Sequence, residues 1–320
     1  MKKITLIILG LVAGMLTTQA KTLTDTARTA TEPRITPRID LYNIPSEHRL
    51  APQNPAKSLK ALGGGWVAGK GHGYLRLGQR MIQANKFFNL GGEVIDITTA
   101  GVHITELYGE YGLGNNLEVS LYFPLFFRST LNSIRFEQSG RVQPGDEVNS
   151  IGDINVGIKY ALIKNKPFVL SASLILGIPS GVVGGGNTQL LQTGDGEFNQ
   201  MLRLDVGYSF SPFYLTAGIG FNNRTQDFSD EIHANFEIGV TYKKLIAMIK
   251  AGTVQSLNNG EAAAAVTGIF SNNTEFISAG PEIAWLFNKN FGFSGGVAFA
   301  FAGQNILAAP AYNAGFFVKF

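Results

Sequence analysis

From residue 66 onward, apolar and polar residues alternate one for one. Leu117, Val119, Leu121, Phe123, Leu125 and Phe127 fall on one parity, and Glu118, Ser120, Tyr122 and Arg128 on the other. Ile154, Val156, Ile158, Tyr160 and Leu162 alternate with Asp153, Asn155, Gly157 and Lys159. Leu202 to Phe210 and Ile232 to Tyr242 repeat the pattern. A period of two means a strand with two unlike faces, whereas a helix would repeat its apolar positions near 3.6. The alternation predicts 12 strands, near residues 72–83, 101–113, 117–130, 150–163, 167–178, 198–210, 213–223, 231–242, 245–256, 274–287, 291–302 and 310–320. Each is long enough for the ~9–11 residues that a tilted membrane strand needs.

The connections alternate in length. Short turns fall at Gly114-Asn115-Asn116, Asn165-Lys166, Ser211-Pro212, Lys243-Lys244 and Asn288-Lys289-Asn290, and longer loops at 84–100, 131–149, 179–197, 224–230, 257–273 and 303–309. Outer-membrane barrels keep short turns on the periplasmic side and long loops outside. Five short turns, six long loops and both ends of the sheet on one side require 12 strands. The expected fold is therefore all-β, an antiparallel up-and-down transmembrane barrel. A soluble β-sandwich with an aromatic core would not explain the rhythm of the connections.

The final strand sharpens this reading. Tyr312, Ala314, Phe316, Val318 and Phe320 share one face, opposite Asn313, Gly315 and Lys319. Tyr312, Phe316, Val318 and Phe320 are the expected insertion signal, read by the barrel-insertion machinery. Tyr160, Phe168, Phe210, Phe213, Tyr242, Phe287, Phe291 and Phe320 lie beside the short turns on the outward parity. They predict an aromatic girdle at the headgroup level. Phe127, Phe221 and Phe301 would serve the opposite rim.

Composition adds an address and a boundary. Met1-Lys2-Lys3 precedes an apolar run from Ile4 to Leu16, too short to span a bilayer, and Thr18-Gln19-Ala20 offers a cleavage site. Residues 1–20 thus read as a signal peptide, which implies export to the outer membrane of a Gram-negative bacterium. Residues 21–65 carry Pro33, Pro37, Pro45, Pro52 and Pro55 and few aromatics, as a periplasmic extension or a lumen plug would. Residues 66–320 form the barrel. The chain has no Cys, so neither a lipid anchor nor a disulfide framework is expected. A net charge of +3, without basic runs interleaved with aromatics, argues against nucleic acid.

If the apolar parity faces lipid, the other lines the lumen. The lumenal candidates are Arg76, Arg80, Glu106, Glu110, Glu118, Arg128, Asp153, Lys159, Arg203, Asp205, Glu237, Lys250, Glu282 and Lys319. A charge at the bilayer midplane costs a few kcal/mol, which forces most of these inward. They could pair across strands and rigidify the barrel, or line a solute path. The spacing predicts ion pairs from Arg76 and Arg80 to Glu106 and Glu110, with Lys319 nearby. Small inward residues such as Gly292, Gly296, Ala298, Gly218 and Gly220 leave room on their strands.

Catalytic signals are weak. His103 and Thr105 share the outward parity, a faint echo of barrel phospholipases, with Thr where the nucleophile would stand. His233 faces inward alone. Asp195 and Glu197 could hold calcium, but so few carboxylates suit an ordinary loop-to-strand junction better. No enzyme and no cofactor is expected.

Three segments stand out as motifs. Ile151-Gly152-Asp153-Ile154-Asn155-Val156-Gly157 is followed by Gly177-Ile178-Pro179-Ser180-Gly181 and then by Thr193-Gly194-Asp195-Gly196. Together with Tyr108-Gly109-Glu110-Tyr111-Gly112-Leu113 leading to Phe123-Pro124, this series resembles the outer-membrane barrels named after the meta pathway of phenol degradation, over about residues 105–320. The resemblance implies a barrel and, through the family name, the handling of aromatic compounds; the residues themselves show no phenol site. The expected function is passive passage of a small, hydrophobic or aromatic solute. A closed structural or adhesive barrel is the alternative, and an outer-membrane hydrolase a remoter one.

Overall fold

The computed structural model describes residues 64–135, 140–164, 166–261 and 272–320. The expectations for residues 1–20 and for all of 21–65 except Gly64 and Gly65 lie outside the described residues. The strands are β1 (Gly73–Phe88), β2 (Val94–Gly112), β3 (Leu117–Leu131), β4 (Ile134–Arg135), β5 (Val142–Gln143), β6 (Asp146–Ser150), β7 (Ile154–Ile163) and β8 (Phe168–Ile178). They continue as β9 (Asn199–Phe210), β10 (Phe213–Arg224), β11 (Glu231–Tyr242), β12 (Leu245–Ser256), β13 (Glu275–Leu286), β14 (Phe291–Gln304), β15 (Ile306–Leu307) and β16 (Ala311–Lys319).

Neighbours along the chain pair antiparallel, and β16 returns to β1 from Tyr74↔Lys319 to Ile82↔Ala311. Closure removes the exposed edge that an open sheet would present. β6 and β7 both pair with β3, and β15 and β16 both pair with β1, so each couple acts as one broken stave. β4 and β5 form a separate small hairpin. The result is a closed barrel of 12 staves. Two-residue turns at Ser211-Pro212 and Lys243-Lys244 join the strands tightly, with Lys243 in the left-handed region at φ 55°.

The two faces invert the order of a soluble protein. Leu77, Leu202, Ile158, Ile249 and Phe301 are exposed, while Arg76, Glu106, Glu118 and Glu237 are buried. Only a surrounding hydrocarbon makes that arrangement favourable, because lipid accepts the apolar face and the charges retreat from it. At the short-turn end, rings on the outer wall meet in a chain. Phe210 stacks on Phe213 at 5.7 Å, Phe287 lies tilted against Phe291 at 5.4 Å, and Phe291 stacks on Phe316 at 5.9 Å.

The structure corrects the sequence reading in three places. The expected long loop at 84–100 is mostly strand, since β1 and β2 run on together and leave only residues 89–93 between them. Phe87 and Phe88 at the end of β1, and Ile95 and Ile97 at the start of β2, find apolar partners there. Second, the expected strand 150–163 breaks at residues 151–153. Third, a bulge shifts the β2–β3 register between Thr105↔Phe126 and Glu106↔Pro124. An extra residue in one strand exchanges the faces beyond it. Phe127, expected on the outer rim, is therefore fully buried, and Arg128, expected in the lumen, is exposed and pairs with Glu147.

Candidate functional site: the barrel lumen

The lumen is layered. At the short-turn end, residues 64–69 run inside the barrel, and the exposed residues 70–72 lead from them to β1. The Ala68 N–H donates to Glu118 Oε2 at 2.6 Å, and the Ser171 hydroxyl donates to the Gly64 carbonyl on the other side. Trp66 lies between, its ring edge-on to Tyr214 at 6.4 Å. Two glycines make this possible. A Cβ on Gly207 would sit 2.7 Å from the Trp66 ring, and one on Gly65 2.9 Å from the backbone of Gly207 and Val169. The segment therefore forms a strap across this mouth, from β2 and β3 to β8, β9 and β10.

Above the strap lies a band of buried charge. Arg76 Nη1 meets Glu106 Oε1 at 2.9 Å, and Arg80 Nη2 meets Glu106 Oε2 at 3.3 Å. The Tyr122 hydroxyl donates to the same carboxylate at 3.0 Å. Glu106 pairs with Gly78 in the ladder, which puts it between the two arginines. Glu110 pairs in register with Tyr74, one turn of the pleat too far away. It instead accepts from the Tyr108 hydroxyl and lies 3.9 Å from Lys159. Of the expected ladder, both arginines meet Glu106. Lys159 meets Glu118 at 3.1 Å, as their register pairing allows. Arg203 meets Asp205 at 3.0 Å. Lys250 lies 2.9 Å from Glu282 and 3.8 Å from Glu237, which also accepts from Tyr214 at 2.7 Å. Lys319 is buried on β16 opposite Tyr74.

Toward the long-loop end the lining turns apolar over β1–β3, β12, β13 and β15. Ile82, Ala84, Val102, Ile104, Phe127 and Leu307 form one buried cluster, and Phe88, Val254, Phe276 and Ile306 another. A cavity of about 250 Å³ joins the two zones, with Arg80, Lys159 and Arg203 on one side and Ile82, Val254, Phe276 and Ile306 on the other. Its surface is amphipathic.

The three sequence motifs converge at the outer end. Asp153, expected to line the lumen, instead sits in the break between β6 and β7. Its Oδ1 accepts from the Ser180 N–H at 3.0 Å and the Gly181 N–H at 2.8 Å, and its Oδ2 from the Asp195 N–H at 2.9 Å. The Ser180 hydroxyl donates to the Gly152 carbonyl at 2.7 Å, and Thr193 Oγ1 to that of Ile151 at 2.8 Å. A Cβ on Gly194 would come 2.2 Å from Asp153 Oδ1, so only glycine fits there. Behind this knot Arg224 meets Asp195 at 3.2 Å, Glu231 at 2.7 Å and Glu197. His233 is not alone, since its Nε2 lies 2.9 Å from Glu231. Asp195 and Glu197 share a guanidinium.

Sequence reasoning offered a lumen plug for residues 21–65 but singled out neither Trp66, which it placed in the barrel, nor Arg224, which it placed in a loop. Trp66 stands in Gly63-Gly64-Gly65-Trp66-Val67-Ala68-Gly69, one large ring among residues too small for a wall strand, and that contrast was the available signal. Of the expected insertion residues, Tyr312, Phe316 and Phe320 are exposed on the outer wall and Val318 is half-buried beside them.

A comparison with curated protein sequences returns no match. An outer membrane channel from Pseudomonas putida is similar in structure, with a TM-score of 0.56 at 11% identity, over 79% of this chain and 97% of that one. The KdgM porin bound to disordered oligogalacturonate gives 0.44 at 10% identity, over 78% and 99%. The β domain of the Bordetella autotransporter BrkA gives 0.47 at 12%, over 78% and 99%. At 11% identity the likeness to the Pseudomonas channel speaks for the fold alone. The sequence profile of the family described as "MetA-pathway of phenol degradation" matches residues 79–316, and the chain belongs to that family.

Proposed function

We propose that the protein is a passive outer-membrane channel for small hydrophobic or aromatic solutes. The observation that carries this reading is the apolar lining of Ile82, Val254, Phe276, Ile306 and Leu307 above a band of ion-paired side chains. A lumen built for hydrated solutes has no use for buried isoleucine and phenylalanine at its mouth. Burying an aromatic ring against such a lining contributes roughly 25 cal/mol per Å² of apolar area. Export by the 1–20 signal, insertion by the barrel machinery, and periplasmic short turns complete the reading. Thr105 donates to Gln79 Oε1 at 2.7 Å, a partner other than His103, which fits a non-catalytic wall. Comparing the flux of an aromatic alcohol with that of a sugar of equal size into proteoliposomes tests the proposal.

A closed structural barrel is favoured by one observation, the strap of residues 64–69 across the short-turn mouth. Planar-bilayer conductance separates the two, since a closed barrel gives none.

A further inference from the structure

The cluster at the outer end brings three carboxyl groups, Asp195, Glu197 and Glu231, around one guanidinium, Arg224, with a fourth, Asp153, accepting from the Asp195 N–H. Asp195, Glu197, Arg224 and Glu231 are buried. They come from different elements. Asp153 belongs to the β6–β7 break, Asp195 and Glu197 to the loop between β8 and β9, Arg224 to β10, and Glu231 and His233 to β11. Asp230 accepts from the Arg224 backbone N–H at 3.0 Å, and Phe228 stacks its ring 4.5 Å from the guanidinium. The tip of the loop has its own anchor: Asp146 accepts from the Asn187 and Thr188 N–H groups at 2.9 and 2.7 Å.

We propose that the loop of residues 179–197 is a proton-linked latch at the outer mouth, docking with uptake of protons and loosening as the medium turns alkaline. Desolvation and mutual repulsion both oppose holding this many ionised carboxylates in a buried pocket around Arg224. Docking the loop supplies Asp195 and Glu197 to that pocket and covers Asp153. It therefore stabilises the protonated forms. His233 couples the latch to the lumen, since it touches Glu231 and also lines the central cavity.

The titration of Asp153 and Glu197 agrees. Burial, and then the neighbouring Asp195, push Asp153 up to about 7. Burial pushes Glu197 up to about 7 against the pull of Arg224, with Asp195 adding to the rise. Both groups lie outside the strands. In an undocked loop they would titrate near the ordinary values of 3.8 and 4.5. A carboxyl raised by docking favours the docked state at low pH. That advantage is lost as pH climbs from about 4 to about 7, by up to about tenfold per pH unit for each group, and is flat above.

Hydrogen exchange on the full-length protein in lipid nanodiscs tests the latch, whether or not the lumen conducts. Protection of peptides spanning 180–197, corrected for intrinsic rates, is measured from pH 5 to pH 8. Wild-type protection should fall at least tenfold over that range while β9 and β10 stay protected. Asp153→Asn and Glu197→Gln, separately and together, should flatten the fall. The latch is refuted if wild-type protection is flat or rises with pH. An equal fall in variants that retain protected barrel strands refutes it too. If no variant folds, the wild-type profile alone decides.

Discussion

Arg76 and Glu106 meet at 2.9 Å across the β1–β2 ladder, each with 1% of its side chain exposed. Removing one partner of such a pair leaves an uncompensated buried charge, which costs about 3–5 kcal/mol. Because Glu106 also serves Arg80 and Tyr122, Glu106→Gln should destabilise the barrel more than Glu110→Gln does. Urea midpoints of refolded protein in detergent check the order.

Ile219 is exposed on the outer wall of β10 between Phe213 and Phe221. Ile219→Arg puts a charge in hydrocarbon and should cost about 2–4 kcal/mol, whereas Ile219→Leu should cost almost nothing. The same urea assay in lipid vesicles reads both. Equal tolerance would mean that this face does not meet lipid.

Trp66 and Gly207 should act on the same mouth from opposite sides. Trp66→Ala removes the ring, and Gly207→Val fills the space it needs. Both variants should widen the short-turn end and raise single-channel conductance several-fold. A rise in one alone would show that the strap is not held by this contact.

Phe320 stacks on Tyr111 at 6.3 Å, and its backbone exchanges hydrogen bonds with Gly73. Phe320→Asp exposes charge in the aromatic girdle and should reduce the folded fraction seen as heat-modifiable migration in outer-membrane preparations.

The faces of the barrel were legible because alternation at a period of two is a local property of the chain. Arg76, Glu106, Lys250 and Glu282 could be placed inward from parity alone. The bulge at Pro124 to Phe126 was not legible, since it depends on what β2 offers opposite, and Phe127 and Arg128 exchanged faces because of it. The Asp153 motif was visible as a pattern, but its role was not. A carboxylate that binds the N–H groups of Ser180, Gly181 and Asp195 looks, on parity, like any lumenal charge. Trp66 carried no periodicity, so only the contrast of its ring with the small residues around it set the strap apart from a linker.

Transport through purified protein tests the central claim most directly. Proteoliposomes are loaded with a binding dye, and entry of a small apolar aromatic is compared with that of a sugar of equal volume, against protein-free vesicles. The apolar lining beside Ile82 and Phe276 predicts faster entry of the aromatic with little gain for the sugar. Faster sugar entry, or no protein-dependent entry of either, would contradict it.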